Sequence, residues 1–272
     1  MQSKLIEIPF EKWAQLRDLY LHQKDRSSCY NTIQIFIDWY EQDSNVPLKI
    51  YAPNDKWVTD GTYVAHLIPG NHLYCNTLNK DFSGLLEAMK CFDNSKTVAG
   101  FQERILPAVE KFFIDSGLSS QQFLSVGTTW VRISREDALK FDTELPENIT
   151  VRELDETHAE QVNAVWPHRS EGSVNLVRHL IKYNNSVGLF EGDKLVAWCL
   201  IVALGALGLL QVEETHKRRG LGKLATKIMA KHLAQKGVEV TAAIVFENSP
   251  SLCMFKQLGF KAIDNVYWSF KV

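Results

Sequence analysis

The sequence lacks an excess of either charge and lacks regularly spaced cysteines. Its 30 Lys and Arg against 32 Asp and Glu leave a net charge of −2, which gives no overall attraction to nucleic acid or to anionic membranes. The five cysteines have no CxxC spacing, which argues against a disulfide framework or a zinc site. We therefore expect reduced, mostly buried thiols and a reducing compartment, the cytosol or the mitochondrial matrix.

The sequence also lacks signs of a signal peptide or of a membrane span. Glu7 lies where a signal peptide would have its apolar stretch. The uncharged run at 195–212 contains a turn-like segment at 203–208, and Glu213 and Glu214 follow it directly. A bilayer span needs about 20 apolar residues. The run therefore predicts a buried β-hairpin.

No metal site or catalytic triad is indicated. The histidines have no metal-like spacing, and no Ser/His/Asp or Cys/His arrangement stands out. We expect His168 to be an ordinary loop residue and His216 to be structural. Hydrophobic residues make up 45% of the chain, which is typical of a globular protein with a core.

A polar, proline-containing segment at 141–150 separates two halves, which predicts domains at 1–147 and 148–272. Both halves open with a strand and a helix, and both close with a helix, a glycine and a strand. The matching features lie about 140 residues apart, which predicts a duplicated α+β unit.

Hydrophobic periodicity predicts the main elements of each half. The first half has predicted helices at 10–22, 31–41, 82–91 and 102–116, with strands at 48–52, 62–67 and 72–76. The second has predicted helices at 157–165, 173–183, 222–235 and 250–258, with strands at 186–190, 238–246 and 262–270.

The segment 212–223 carries the strongest functional signal. An apolar strand ends there, and basic residues and glycines precede an amphipathic helix. Glycines permit close approach of the backbone, and a helix N-terminus presents unpaired N–H groups, so the segment predicts a phosphate or pyrophosphate site. The residues concerned are Lys217, Arg218, Arg219, Gly220, Gly222 and Lys223.

Two other phosphate loops fit less well. A nucleoside-triphosphate loop requires glycine at Lys217 and Ser or Thr at Leu224. A dinucleotide loop fits Gly220 to Ala225, with Glu247 as the ribose-binding acid, but only 52 residues follow Gly220. The dinucleotide loop remains a minor alternative.

Two stretches together resemble motifs of the GCN5-related N-acetyltransferase superfamily. Residues 217–222 resemble its Arg/Gln-x-x-Gly-x-Gly/Ala pyrophosphate loop, with lysine first. Residues 248–260 resemble its second motif, Asn-x-x-Ala-x-x-Leu-Tyr-x-x-Leu-Gly-Phe. The resemblance covers about residues 150–272, and the two-half layout with residues 197–200 is similar to the glycine N-acyltransferase-like branch. It implies an α+β fold, a mixed central sheet flanked by helices, in two tandem domains of which the N-terminal one lacks a coenzyme site.

The resemblance implies acetyl-coenzyme A or another acyl-coenzyme A as co-substrate, without a metal. Its implied binding residues are Val212, Lys217, Arg218, Arg219, Gly220, Leu221, Gly222, Lys223, Asn248, Ser251 and Phe255. A structural role is as well founded for Asn248, a typical helix cap, and for Val212, a typical core residue. The backbone N–H of Val212 is expected to polarise the thioester carbonyl.

The chain departs from the family pattern at both positions that transfer protons. Phe255 replaces a tyrosine that protonates the leaving thiolate, and Ala206 replaces the glutamate proposed as base in the glycine N-acyltransferase-like branch. Glu213 and Glu214 are the nearby candidate bases, although each is also typical of a surface carboxylate. Cys253 is expected to be a buried small side chain.

Two functions follow from the sequence. The first is an N-acyltransferase that acts on a primary amine, such as glycine or another amino acid. The alternative is a catalytically inactive acyl-coenzyme A-binding or sensing protein, since both expected proton-transfer positions, Ala206 and Phe255, are apolar.

Overall fold

The computed structural model describes residues 5–23 and 28–272, which form two compact units. The first unit contains the residues up to Thr129 together with Asp264–Val272, and the second is Trp130–Ile263. These units do not coincide with the predicted halves, because the last strand of the chain pairs within the first unit. The domain division at residue 147 stays a prediction.

The first unit is a mixed sheet with helices. Its α-helices are α1 (Trp13–Leu19), α2 (Cys29–Gln42), α3 (Trp57–Asp60), α4 (Ser83–Met89) and α5 (Leu106–Asp115). Its strands are β1 (Ile6–Glu7), β2 (Leu48–Ala52), β3 (Tyr63–Leu67), β4 (His72–Asn76) and β5 (Thr97–Gln102). The next strand, β6 (Phe123–Ile133), begins in this unit and ends in the second.

The second unit has the same kinds of element. Its α-helices are α6 (Arg135–Leu139), α7 (Ala159–Ala164), α8 (Ser173–Tyr183), α9 (Leu221–Gln235) and α10 (Ser249–Gln257). Its strands are β7 (Ile149–Arg152), β8 (Ser186–Glu191), β9 (Lys194–Ile201), β10 (Leu207–Val212) and β11 (Val240–Val245). The closing strand is β12 (Lys261–Lys271).

Each unit mixes parallel and antiparallel strand pairs. In the first unit the strand order is β1-β2-β3-β4-β5-β12-β6, with β4 and β5 parallel. Val266 of β12 lies opposite Gln102 of β5, which places the end of the chain in this unit. In the second unit the order is β6-β11-β10-β9-β8-β7, with β10 and β11 parallel. The predicted α+β class is confirmed.

Each unit has its own apolar core between the sheet and its helices. In the first, Phe112 and Phe113 of α5 pack on strand residues such as Val98. In the second, Trp198 of β9 packs among residues of α7 and α8, including Val162 and Val177. These side chains are the apolar faces that the periodicity of the sequence marks.

Most of the predicted elements are confirmed to within a few residues. The uncharged run 195–212 forms the predicted hairpin, β9 and β10. No helix within the described residues is long and apolar enough to cross a bilayer. The predicted helix at 102–116 begins too early, because β5 continues to Gln102 and a 3-10 turn, Glu103–Ile105, precedes α5.

Candidate functional site

The site begins where β10 and β11 separate. Leu207 lies opposite Ala242, and the two strands share no further pair along their described lengths. Both strands nevertheless continue, β10 to Val212 and β11 to Val245. Parallel strands that lose their ladder leave backbone N–H and C=O groups facing an opening. Side chains after Leu207 on β10 are only half-buried, in keeping with such an opening.

A β-bulge shapes β10 at this opening. Gly208 pairs with Leu200 and Gln211 with Trp198, so β10 has one extra residue. Leu209 has a φ of +47°, a left-handed conformation that is rare for leucine. A side chain at Gly208 would meet Val202 Cγ1 at 2.5 Å, so glycine is needed beside the bulge. Bulges redirect the groups that follow them, and many lie beside active sites.

One amide that follows the bulge faces the opening. Glu213 N–H donates to Val196 O of β9 at 2.8 Å. Because successive residues of a strand direct their N–H groups to opposite sides, Val212 N–H points away from β9. The direction of Val212 N–H is therefore the one that its predicted role requires.

The loop after β10 ends at the N-terminus of α9. A 3-10 turn, Glu214–His216, leads to Arg218 at φ +62° and Gly220 at φ +80°. No side chain of the described residues caps α9, so the N–H groups of its first turn remain available. A Cβ at Gly222 would lie 3.2 Å from Val212 Cγ2, so glycine keeps α9 close to β10.

The basic residues of the loop fall into two groups. Lys217 Nζ pairs with Glu214 at 2.6 Å, and Arg219 Nη2 pairs with Glu191 at 3.0 Å. Arg218 is exposed, Lys223 is half-buried, and neither has an acidic partner in the part of the chain that the structure describes. With the positive end of the α9 dipole, these two cations favour an anion at the helix N-terminus.

Glu191 is a site residue that sequence reasoning missed. It ends β8, and its carboxylate also contacts His216 Nε2 at 3.2 Å. His216 is 6% exposed, and its Nδ1 lies 2.8 Å from Thr215 Oγ1, which confirms the structural role predicted for this histidine. Hydrogen bonds from His216 and Arg219 hold the pKa of Glu191 below its usual value. No sequence signal connects Glu191 to a loop more than 20 residues later.

The two candidate bases lie in different surroundings. Glu213 is half-buried, and its Oε1 accepts a hydrogen bond from Gln161 Nε2 of α7 at 2.7 Å. The Glu214 side chain is 84% exposed and pairs with Lys217. Only Glu213 is therefore held in a fixed orientation by a neighbouring element. Gln161 was also missed, because nothing in its sequence neighbourhood marks it.

Ala206 and Phe255 are both core residues. Ala206 is fully buried, and Phe255 is 3% exposed with its ring edge-on to Phe260 at 4.9 Å between centroids. The prediction for Cys253 is wrong: its side chain is exposed because it lies on the outer face of α10. Three of the other cysteines are buried, Cys91 is half-buried, and all five are free thiols, as predicted.

Asn248 caps α10. Its Oδ1 accepts from Ser251 N–H at 3.2 Å, which satisfies one of the helix's unpaired donors. The structural role predicted for Asn248 is therefore confirmed, while contact of Asn248, Ser251 or Phe255 with a cofactor stays a prediction. His168 is an exposed loop residue, as expected. Among the described residues, no group of three His, Cys, Asp or Glu is placed to hold a metal ion.

The comparisons with known proteins identify the fold. Residues 186–269, which include the whole loop and α9, match the model of the family described as FR47-like protein. A Drosophila protein of known structure is 23% identical over 98% of both chains, with a TM-score of 0.88. No curated protein matches the chain.

Two further structures carry superfamily names. A tandem GNAT protein from the clavulanic acid biosynthesis pathway is 14% identical over 98% of both chains, with a TM-score of 0.60. A GCN5-related N-acetyltransferase-like protein from Streptococcus suis is 12% identical, with a TM-score of 0.53, over 95% of this chain and 99% of its own. None of these comparisons supports the glycine N-acyltransferase-like branch. The chain has the fold of the GCN5-related N-acetyltransferase (GNAT) superfamily, and its residues 186–269 match the FR47-like family model.

Proposed function

We propose that this protein is an N-acyltransferase that moves an acyl group from acyl-coenzyme A to a primary amine. One observation carries the proposal: the opening between β10 and β11 leads directly to the uncapped N-terminus of α9. The long, thin pantetheine arm suits an opening between strands, and a pyrophosphate suits a helix N-terminus.

Each part of the coenzyme has residues suited to it. The N–H groups of Leu221, Gly222 and Lys223 begin α9 and would face the pyrophosphate, as would Gly220 before them. Arg218 is exposed and has no acidic partner among the described residues. Lys217 and Arg219 contribute less, because their charges are already paired with acids. Asn248, Ser251 and Phe255 would line the other side of the pantetheine arm.

A backbone amide would stabilise the reacting carbonyl. The thioester supplies an activated acyl carbon and a thiol leaving group. The N–H of Val212 faces the opening, and a fixed donor to the carbonyl oxygen is worth a few kcal/mol in the transition state. This donor needs no side chain, so the apolar composition of β10 does not weaken it.

Glu213 is the base in this proposal. The acceptor arrives as R–NH₃⁺, and Glu213 takes one proton to give the neutral amine. The amine nitrogen forms a bond to the acyl carbon as the carbon–sulfur bond breaks, and the thiolate leaves with the electron pair. The thiolate then receives the second amine proton through water, since Phe255 has no proton to donate. The products are an amide and coenzyme A.

We propose a small amine, such as glycine or another amino acid, as the acceptor. The support is the resemblance of the two-half layout and of residues 197–200 to the glycine N-acyltransferase-like branch. A second candidate function is acyl-coenzyme A binding without catalysis. It is favoured by the side chains of Ala206 and Phe255, which are buried and apolar. Neither can act as an acid or a base at its expected position.

A paired measurement tests both functions. Thermal unfolding with acetyl-, benzoyl- and longer acyl-coenzyme A should show stabilisation, and thiol release with a panel of small amines should show turnover. Stabilisation with turnover that Glu213→Gln removes supports the acyltransferase. Stabilisation without turnover over the whole panel supports the binding protein. No stabilisation by any acyl-coenzyme A overturns both.

A further inference from the structure

One side chain connects α7 to the end of β10. Gln161 Nε2 donates to Glu213 Oε1 at 2.7 Å and to the backbone oxygen of Leu195 at 3.1 Å. Both partners are acceptors, so the amide nitrogen, with its two protons, must face them. The orientation of the Gln161 amide is therefore set by the chemistry of its neighbours.

The core fixes the position of Gln161. On either side of it in α7, Ala159 and Val162 are fully buried against the sheet. Leu195 is 3% exposed, and its strand β9 is paired on both edges. Gln161 thus reaches Glu213 from a rigid helix and is anchored to a rigid strand, which is how a functional carboxylate is held in one orientation.

The contact leaves Glu213 with one oxygen for chemistry. Oε1 accepts from Gln161, while Oε2 has no hydrogen-bond partner in the described part of the chain. A carboxylate that is fixed through one oxygen presents the lone pairs of the other in a defined direction.

Most charged groups on the surrounding elements are paired among themselves, and the exceptions include Arg218 and Lys223, which have no acidic partner among the described residues. On the loop, Glu214 pairs with Lys217, and Glu191 of β8 pairs with His216 and Arg219. On the helices, Glu160 of α7 pairs with Arg178 of α8 at 3.0 Å. The neutral Gln161 is thus the side chain that orients Glu213.

We propose that Gln161 is a positioning residue that holds Glu213 as the general base of acyl transfer. The proposal rests on the proposed acyltransferase function and adds to it a residue that contacts neither substrate. Gln161 acts by fixing the direction of Glu213 Oε2 toward the acceptor amine, so its removal should affect turnover more than binding of the acyl donor.

Two variants separate this role from a purely structural one. Gln161→Leu removes the hydrogen bond and should lower kcat on the order of tenfold, with KM for acyl-coenzyme A unchanged within about twofold. Gln161→Glu keeps the shape but places a second carboxyl group beside Glu213. Two adjacent carboxyl groups do not readily both ionise, so the acid limb of the kcat/KM profile should move up by about one pH unit or more.

The matched control is Glu160→Gln, the neighbouring position of the same helix, which should leave the pH profile unchanged. Stabilisation by coenzyme A shows that each variant is folded. If the wild type transfers acyl groups and Gln161→Glu keeps the wild-type pH profile, the role of Gln161 is overturned while the proposed function stands. If the wild type binds coenzyme A but transfers no acyl group, the acyltransferase function and this role fall together.

Discussion

The two units contain the same pair of parallel strands, and the far end of this pair differs between them. In the first unit, β4 and β5 pair at His72 with Thr97 and at Leu73 with Val98, and the two strands stay close along their lengths. In the second, β10 and β11 separate after Leu207 and Ala242. The backbone thus offers an opening in the second unit.

Side chains join the ends of the two strands in the first unit. Asn76 Nδ2 donates to Gln102 Oε1 at 3.2 Å, which joins the ends of β4 and β5. Arg104 Nη2 donates to Asn76 Oδ1 at 2.6 Å and also to Thr77 O, and Cys29 of α2 accepts from Asn76. Buried polar groups that satisfy one another in this way leave no donors for a ligand. In the second unit, the strand ends Val212 and Val245 have no side chains that could form such a bridge.

The N-terminus of α4, the helix that follows β4, also differs from that of α9, the helix that follows β10. In the first unit the N–H of Ser83, at the start of α4, is taken by Asp81 Oδ1 at 2.9 Å, and its hydroxyl donates to Asp81 Oδ2. These hydrogen bonds lower the pKa of Asp81, so a carboxylate already occupies the anion-binding end of the helix. In the second unit Gly220 supplies no capping side chain to α9. The first unit therefore has a helix N-terminus closed by a carboxylate, and the second has one that no side chain of the described residues caps.

The largest expected effect comes from closing the opening between β10 and β11 in the second unit. Gly222→Glu adds a Cβ 3.2 Å from Val212 Cγ2 and places a negative charge among the N–H groups that would bind pyrophosphate. We expect coenzyme A binding to weaken by at least about 100-fold, ~2.7 kcal/mol, and its thermal stabilisation to disappear.

The matched control lies in the first unit. Gly84 is in the first turn of α4, and a Cβ there would come no closer than 3.9 Å to Pro53. Gly84→Glu should leave coenzyme A binding unchanged, and titration calorimetry of the wild type should give one coenzyme A per chain. Two bound molecules per chain would contradict the comparison between the units.

The next largest effect comes from breaking the polar bridge of the first unit. Asn76 is fully buried, and Asn76→Leu removes its hydrogen bonds with Gln102 and Arg104. We expect a loss of about 2 kcal/mol in the free energy of unfolding, measured with urea, while Lys80→Ala at an exposed position changes it little. Unchanged stability of Asn76→Leu would mean that the bridge does not hold the ends of β4 and β5 together.

Acid should destabilise both units. Burial lowers the pKa of His179 in the second unit, and that of His72 in the first, from 6.5 to about 4. Between pH 6.5 and 4 the unfolded state binds a proton that the folded state does not bind. The free energy of unfolding is therefore at its full value above pH 6.5 and falls as the pH drops toward 4. His179→Gln should reduce the loss at pH 5 by about 1–2 kcal/mol. Urea unfolding at pH 7 and pH 5 measures this loss of unfolding free energy. An equal loss in the variant would contradict its assignment to His179.

A smaller effect should separate stability from binding at Arg218. Its φ of +62° disfavours a side chain, so Arg218→Gly should leave thermal stability unchanged or raise it slightly. The same change removes an unpaired cation and should weaken coenzyme A binding about fivefold, ~1 kcal/mol. Arg219→Gly is the comparison, because Glu191 already pairs with Arg219. Equal losses of affinity in both variants would show that pairing with Glu191 does not reduce the contribution of Arg219 to coenzyme A binding.

The smallest effect is expected at Glu214. Its exposed pair with Lys217 contributes little, so Glu214→Gln should change turnover by less than about twofold. Glu213→Gln should remove most of the activity. A large loss in Glu214→Gln would reverse the assignment of the base.

Local patterns in the sequence predicted much of the fold and the position of the candidate phosphate loop. The hairpin at 195–212 and helix α8 follow from hydrophobic periodicity, and Gly220 and Gly222 follow from the turn that a phosphate loop needs. The bulge at Leu209 could not be predicted, because leucine gives no sign of a left-handed φ. Nor could the start of α5, where strand and helix signals join without a glycine between them.

The sequence by itself determined which elements form and which loop is the candidate anion site, because periodicity, glycine and basic residues act over a few neighbouring positions. Only the tertiary structure decided that the last strand pairs within the first unit and that Asn76 meets Gln102. It also decided that Gln161 reaches Glu213 and that Glu191 holds the loop. These contacts join residues far apart in the chain, and their geometry depends on how strands and helices pack, which no local pattern encodes.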